Sequence, residues 1–243
     1  CYWFVGCVAY RGYFSDADAR AYAADLAAAG YDVHIGGVSA YSTLGWFDDP
    51  VLNTMLREDR TYLARIIFHE LAHRKLYVKD DTDFNEAFAD TVAHQGVTLW
   101  LAAHGTESER RKYENMRIHE DQFTDLVMRY RARLGSAYAA NDTAEEKLRN
   151  KARLLAEMKA EYRQMRTRWQ DDDSYDAWFA GTLNNARLAA VATYRAYVPG
   201  FEKLLAEAGG DLPAFYARVD ELRACTADQR RRILLAGPTE FSC

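Results

Sequence analysis

The chain has 243 residues, of which 49% are hydrophobic, and its formal net charge is −5. This length and apolar content suffice for one core plus a helical appendage, without a second catalytic domain. Basic and acidic residues are interspersed, and only Arg230-Arg231-Arg232 forms a basic run, which argues against nucleic acid as a partner. No apolar run approaches the ~18 residues that span a bilayer, so any membrane attachment is expected upstream of this segment.

The first fifty residues carry the β-type pattern. Aromatic and β-branched residues cluster at 3–10 and 32–35, on either side of an Ala-rich helix expected at 16–29. Residues 36–44 can form an edge strand that pairs with a substrate backbone, or an ordinary loop. Tyr41 and Ser42, within this stretch, are candidate substrate-binding residues. The pattern predicts an α+β fold, mainly α, with a small N-terminal sheet packed on a helix pair.

Nearly all of the chain after residue 50 has a helical pattern. Helices are expected at 59–77 and 83–104, and later at 184–197, 201–208, 211–225 and 227–235. Between these groups, two apolar stripes at alternating three- and four-residue spacing predict the seam of a long antiparallel hairpin. Core packing explains such stripes, and a lid or docking role is the alternative. The stripes contain Phe123, Val127, Tyr130 and Leu134, then Leu155, Met158, Tyr162, Met165 and Trp169.

These elements divide the chain into three predicted regions. Residues 1–104 form a β-containing, metal-binding core, and residues 105–172 form the inserted hairpin. Residues 173–243 supply C-terminal helices that complete the core. The sequence leaves the oligomeric state open.

The motif His69-Glu70-Leu71-Ala72-His73 lies within the first of these helices. Residues four apart project from one face of a helix, so both imidazoles can bind one ion while Glu70 stands beside them as a general base. Two core-facing histidines with a surface glutamate are the alternative interpretation. A catalytic zinc site needs three protein ligands and an open position for water, so the motif requires a further ligand.

Glu86 is the best candidate for the third ligand. It lies early on the next helix, after a short polar turn, and an antiparallel helix pair returns it toward the histidines. With Asp83 as the N-cap, Glu86 would stand at the third helical position, where an acidic residue also favours the helix dipole. Asp90, one turn further on, is placed to accept the free ring N–H of a ligand histidine.

The chain resembles a bacterial family of predicted zinc aminopeptidases of the gluzincin type, in which HExxH is followed by NExxxD. Five segments carry the resemblance, which covers nearly the whole chain: the C-x5-C element of Cys1 and Cys7 with residues 8–14, then residues 40–50, 68–73, 84–86 and 184–186. It implies a zinc metallopeptidase that is exported and lipid-anchored, periplasmic or outer-membrane-associated, in Gram-negative bacteria. Family members usually carry a further N-terminal helical region with an export signal, so this chain is interpreted as a fragment.

Two further residues lie in or near a motif that the resemblance singles out. Asn185 is a candidate substrate-binding residue, and Tyr194 is a candidate donor to the oxyanion opposite the zinc. Packing of an amphipathic tyrosine is the alternative for Tyr194. The four cysteines permit three pairings, among which the sequence does not choose.

Three functions remain open at this stage. The first is a zinc aminopeptidase, and the second is a zinc endopeptidase with the same ligands; both act on peptides or small proteins. The third is a non-catalytic helical interaction module in which the metal ties two helices together.

Overall fold

The computed structural model describes residues 11–37 and 59–236 of the chain. Helices make up 77% of the described residues. Among these helices, none is long and apolar enough to cross a membrane. In chain order they are α1 (Asp16–Ala28), α2 (Arg60–Lys75), α3 (Thr82–His104), α4 (Glu107–Ala139), α5 (Ala144–Arg168), α6 (Asp176–Ala180), α7 (Asn185–Arg195), α8 (Val198–Glu207), α9 (Leu212–Arg223) and α10 (Ala227–Ala236).

The predicted sheet is wrong: the described residues contain no strand, and their fold is all-α. Residues 32–35 show the physical reason. This segment forms its hydrogen bonds through side chains and not with the backbone of a neighbouring strand. The Val33 carbonyl accepts a hydrogen bond from Asn184 Nδ2 at 2.8 Å. Asp32 Oδ2 accepts from Lys151 Nζ at 2.5 Å and from the Asn185 backbone N–H at 3.0 Å. Residues 3–10 and 38–44 lie outside the described residues.

The described residues divide into two compact units. One contains the described parts of Cys1–Arg11, Gly37–Tyr113 and Thr193–Cys243, and the other contains Gly12–Gly36 and Glu114–Ala192. The predicted boundaries at 104 and 172 stay predictions.

In the first unit, the end of α2 and the start of α3 pack on α8, α9 and α10. Phe84 and Phe88 of α3 are fully buried against Phe201 of α8, with ring centroids 5.1 and 6.0 Å apart respectively. Burying a large apolar side chain stabilises a fold by roughly 1.5–3 kcal/mol, so this aromatic cluster is a major anchor of α3. The segment that it anchors includes Glu86.

The contact between α2 and α3 depends on a glycine. A Cβ at Gly96 would lie 2.8 Å from Cγ of Phe68, the residue before His69. We expect Gly96→Ala to lower the free energy of unfolding by about 1–2 kcal/mol, since overpacking costs roughly 1–3 kcal/mol and the gain in helix propensity offsets at most ~1 kcal/mol. Urea unfolding at equilibrium measures this change.

Gly135 provides the control, because it is also helical and a Cβ there meets nothing within 4 Å. Gly135→Ala should stabilise the protein by about 0.5–1 kcal/mol through helix propensity alone. A Gly96→Ala protein that gained as much would show that Phe68 does not limit the approach of the two helices.

The second unit contains the predicted helical hairpin. Two ion pairs give the antiparallel register of α4 and α5: Arg129 with Glu161 at 2.5 Å, and Arg133 with Glu157 at 2.6 Å. The predicted stripes form the seam, except that Leu154 is buried where Leu155 was expected and Leu155 is only partly buried. The chain reverses between the end of α4 at Ala139 and the start of α5 at Ala144.

Candidate metal centre

Helix α2 presents His69 and His73 side by side. Asp59 caps its N-terminus, accepting hydrogen bonds from the backbone N–H groups of Thr61 and Tyr62 at 3.1 and 3.0 Å. One turn apart, the two imidazoles meet edge to face with ring centroids 4.8 Å apart. Their Nε2 atoms lie 3.1 Å from each other. The spacing in the sequence therefore brings the two nitrogens to one point, as predicted.

Helix α3 brings a carboxylate to the same point. Glu86 Oε2 lies 3.3 Å from His69 Nε2, and Oε1 lies 3.9 Å from His73 Nε2. The N-cap of α3 is Asp81, which accepts from the Phe84 N–H at 3.3 Å, and not Asp83 as predicted. Glu86 consequently lies beyond the third helical position. At the third position, an acidic residue would be explained by its stabilisation of the helix N-terminus, without a ligand role.

These three side chains fit a tetrahedral zinc ion. Their candidate ligand atoms all lie within 4.8 Å of one another. Ligand atoms bonded to zinc at about 2.0–2.1 Å lie about 3.3 Å apart in a tetrahedron. The 3.1 Å between the two Nε2 atoms and the 3.3 Å from His69 Nε2 to Glu86 Oε2 are close to this value, and the other carboxylate oxygen lies 3.9 Å from His73 Nε2. Two imidazole nitrogens and one carboxylate are also a ligand set that leaves a fourth position for water.

Burial and neighbouring charges shift the pKa values of the two histidines in opposite directions. Burial lowers the pKa of His73 to about 4, helped by the adjacent positive charge of His69. Burial also opposes the charged form of His69, but a hydrogen bond to Glu86 and the charges of Glu86, Asp90 and Glu70 raise its pKa on balance. Buried His73 is thereby kept neutral, the form in which an imidazole can donate its lone pair to a metal. Its Nδ1 atom is buried and has no hydrogen-bond partner among residues 11–37 and 59–236.

Glu70 adjoins this group without belonging to it. It is half-buried on α2, directly after His69, and its charge contributes to the raised pKa of that histidine. The cluster of possible ligands comprises His69, His73 and Glu86. The Glu70 carboxylate is therefore a candidate general base, a role that stays a prediction.

Asp90 occupies a buried charge network one turn beyond Glu86. Its Oδ1 accepts a hydrogen bond from Arg65 Nη2 at 2.8 Å, and its Oδ2 accepts from Arg195 Nη1. His94 Nε2 lies 3.6 Å from Oδ1. Although burial alone would raise the pKa of Asp90, the charges of Arg65, His94 and Arg195 hold it well below its usual range. Asp90 thus ties α2, α3 and α7 together, and its predicted bond to a ligand histidine stays a prediction.

Sequence reasoning missed both arginines of this network. Arg65 stands one turn before His69 on α2, a spacing that marks it as a neighbour of the site. Arg195 is far away in the chain and has no local signal. Tyr77, whose ring centroid lies 6.3 Å from that of His73, was also missed.

Four further residues were predicted to belong to the site, and the structure describes the side chain of only one of them. Tyr41 and Ser42 lie outside the described residues, as does the side chain of Tyr194 in α7. Asn185 begins α7 in the second unit, where its Oδ1 accepts a hydrogen bond from the hydroxyl of Tyr138 at 3.0 Å. The roles predicted for these four residues stay predictions.

The described residues form an all-α fold with a potential metal centre of two histidines and a glutamate. A comparison with models of protein families matches residues 1–234 to the family described as "Putative aminopeptidase". The chain belongs to this family, whose name indicates a peptidase. No curated protein and no solved structure matched the chain.

Proposed function

We propose that the protein is a zinc-dependent peptidase, and specifically an aminopeptidase. The observation that carries the proposal is the convergence of His69, His73 and Glu86, with Glu70 beside them. Membership in the aminopeptidase family supports the same function independently of the geometry. The proposed ligands lie in an HExxH motif followed by NExxxD, which is the gluzincin pattern.

Zinc held by the three side chains would polarise the scissile carbonyl and lower the pKa of a coordinated water. Glu70 accepts a proton from the attacking water as the new C–O bond forms. Glu70 then returns that proton to the nitrogen as the C–N bond breaks, so the peptide yields a free carboxylate and an amine. The ligand histidines and Glu86 fix where the carbonyl carbon stands relative to Glu70. Tyr194 is the proposed donor to the developing oxyanion, and Asn185, Tyr41 and Ser42 are proposed to bind the peptide.

An exported location accompanies this proposal. Cys225 forms a disulfide, and disulfides persist in oxidising compartments such as the bacterial periplasm. We therefore propose that the protein lies in the periplasm or at the outer membrane of a Gram-negative bacterium.

A matched peptide panel tests the aminopeptidase assignment. Each peptide is supplied with a free or an N-acetylated terminus, and products are followed by mass spectrometry after zinc loading. An aminopeptidase requires the substrate's α-ammonium group, so we expect single-residue release from free peptides and none from acetylated ones. Internal cleavage that persists after acetylation would instead assign an endopeptidase with the same zinc ligands.

A further inference from the structure

Asn85, the residue before Glu86, binds the backbone of a residue on the other side of the α2–α3 turn. Its Oδ1 accepts a hydrogen bond from the Val78 N–H at 2.8 Å, and its Nδ2 donates to the Val78 carbonyl at 2.7 Å. Asn85 is 1% exposed and Val78 is 8% exposed. The amide therefore pairs with Val78 as a neighbouring strand would, where water does not compete for either bond.

This pairing links two ligands of the site by a short route. Val78 follows Tyr77, whose ring packs against that of His73. On the other side, Asn85 is covalently joined to Glu86. The chain leaves α2 in an extended conformation at Leu76 and turns through Asp80, which has a φ of 65°. The two Asn85 bonds cross-link this extended segment to the start of α3.

We propose that Asn85 is a positioning residue of the metal centre. By holding Val78, it fixes the start of α3 against the end of α2, and so sets the approach of Glu86 to His73 and His69. The inference rests on the proposed function, because it requires the three side chains to bind zinc. It adds a residue outside the ligand set whose amide determines how tightly the ion is held.

The test compares zinc affinity in Asn85→Ala with that in a matched control. Gln95 also lies on α3, and its Nε2 donates to the backbone carbonyl of Gly210 at 2.8 Å, away from the ligands. Gln95→Ala therefore removes the same kind of side-chain-to-backbone bond from the same helix. Zinc dissociation constants are measured by competition with a chelator, and thermal unfolding is followed with and without zinc.

We expect both variants to melt at a lower temperature than the wild type without zinc, and only Asn85→Ala to lose affinity. Groups that orient metal ligands typically change affinity 10–100-fold, so the zinc dissociation constant of Asn85→Ala should rise at least ~10-fold while that of Gln95→Ala stays within about twofold of the wild type. The rise in melting temperature on adding zinc should shrink only in Asn85→Ala. If Asn85→Ala fails to fold, Asn85→Ser, whose short side chain cannot make both bonds, is used with the same expectation.

Two results would overturn the inference in distinguishable ways. If a folded Asn85 variant bound zinc as tightly as the wild type, Asn85 would contribute only to stability, and the proposed function would be unaffected. A folded wild-type chain that takes up no zinc would overturn the proposed function and this inference together.

Discussion

Replacing Glu70 by glutamine is expected to abolish most peptide hydrolysis while leaving zinc binding unchanged. The amide keeps the size of the side chain but cannot accept the proton of the attacking water. General base catalysis contributes roughly 10²–10⁴-fold, so kcat/KM should fall by about that factor. Steady-state kinetics on a peptide cleaved by the wild type, together with zinc content by elemental analysis, measures both quantities.

Glu114→Gln is the control for this change. Glu114 is an exposed acid on α4, and its replacement alters the net charge by the same amount. Its kinetics and zinc content should match the wild type. Full activity in Glu70→Gln would exclude Glu70 as the general base. A wild-type protein that binds zinc but hydrolyses no peptide would instead favour a helical module in which a metal only joins α2 and α3.

Removing the Glu86 carboxylate is expected to release the metal. Glu86 Oε2 lies 3.3 Å from His69 Nε2. In the cluster of His69, His73 and Glu86, it is the side chain that supplies the negative charge. Loss of a group that merely orients a ligand costs 10–100-fold in affinity, so loss of the ligand itself in Glu86→Ala should exceed ~100-fold. Competition with a chelator measures the zinc dissociation constant, and activity should disappear at zinc concentrations that saturate the wild type.

Asp83→Asn is the matched control, because Asp83 lies in the first turn of the same helix and outside the candidate cluster. We expect it to bind zinc as the wild type does. If Glu86→Ala kept stoichiometric, tightly bound zinc, the third ligand would have to come from another residue.

The parts of the site that could be predicted from sequence are those set by local geometry. His69 and His73 converge because residues four apart share a helix face. Glu86 reaches them because a short turn between two helices returns the chain antiparallel to itself. Both relations depend only on neighbouring residues, so periodicity and turn signals were sufficient to find them.

The parts that escaped prediction depend on residues distant in the chain. Asp90 accepts from Arg195 across 105 residues, and no periodicity in either segment relates the two. The segment 32–35 has the residue types of a strand, but a strand needs a neighbouring backbone partner. Here the Val33 carbonyl accepts from the Asn184 side chain instead. Propensity gives the type of residue that suits a strand, while long-range packing decides whether a strand forms.

The N-cap of α3 shows a smaller error of the same kind. Asp81 and Asp83 are both suitable capping residues. Asp81 caps the helix, and it also accepts a hydrogen bond from buried Arg230 Nε of α10 at 2.7 Å. This distant arginine fixes Asp81 at the helix start, which the sequence around the turn does not reveal.

X-ray absorption at the zinc edge of the metal-loaded protein tests the central claim most directly. We predict one zinc per chain, bound at about 2.0–2.1 Å by nitrogen and oxygen atoms, with the outer-shell scattering of two imidazoles and no sulfur. The imidazole signal should fall in His73→Ala. Zinc bound by sulfur, or an imidazole signal that is unchanged in His73→Ala, would contradict a site formed by His69, His73 and Glu86.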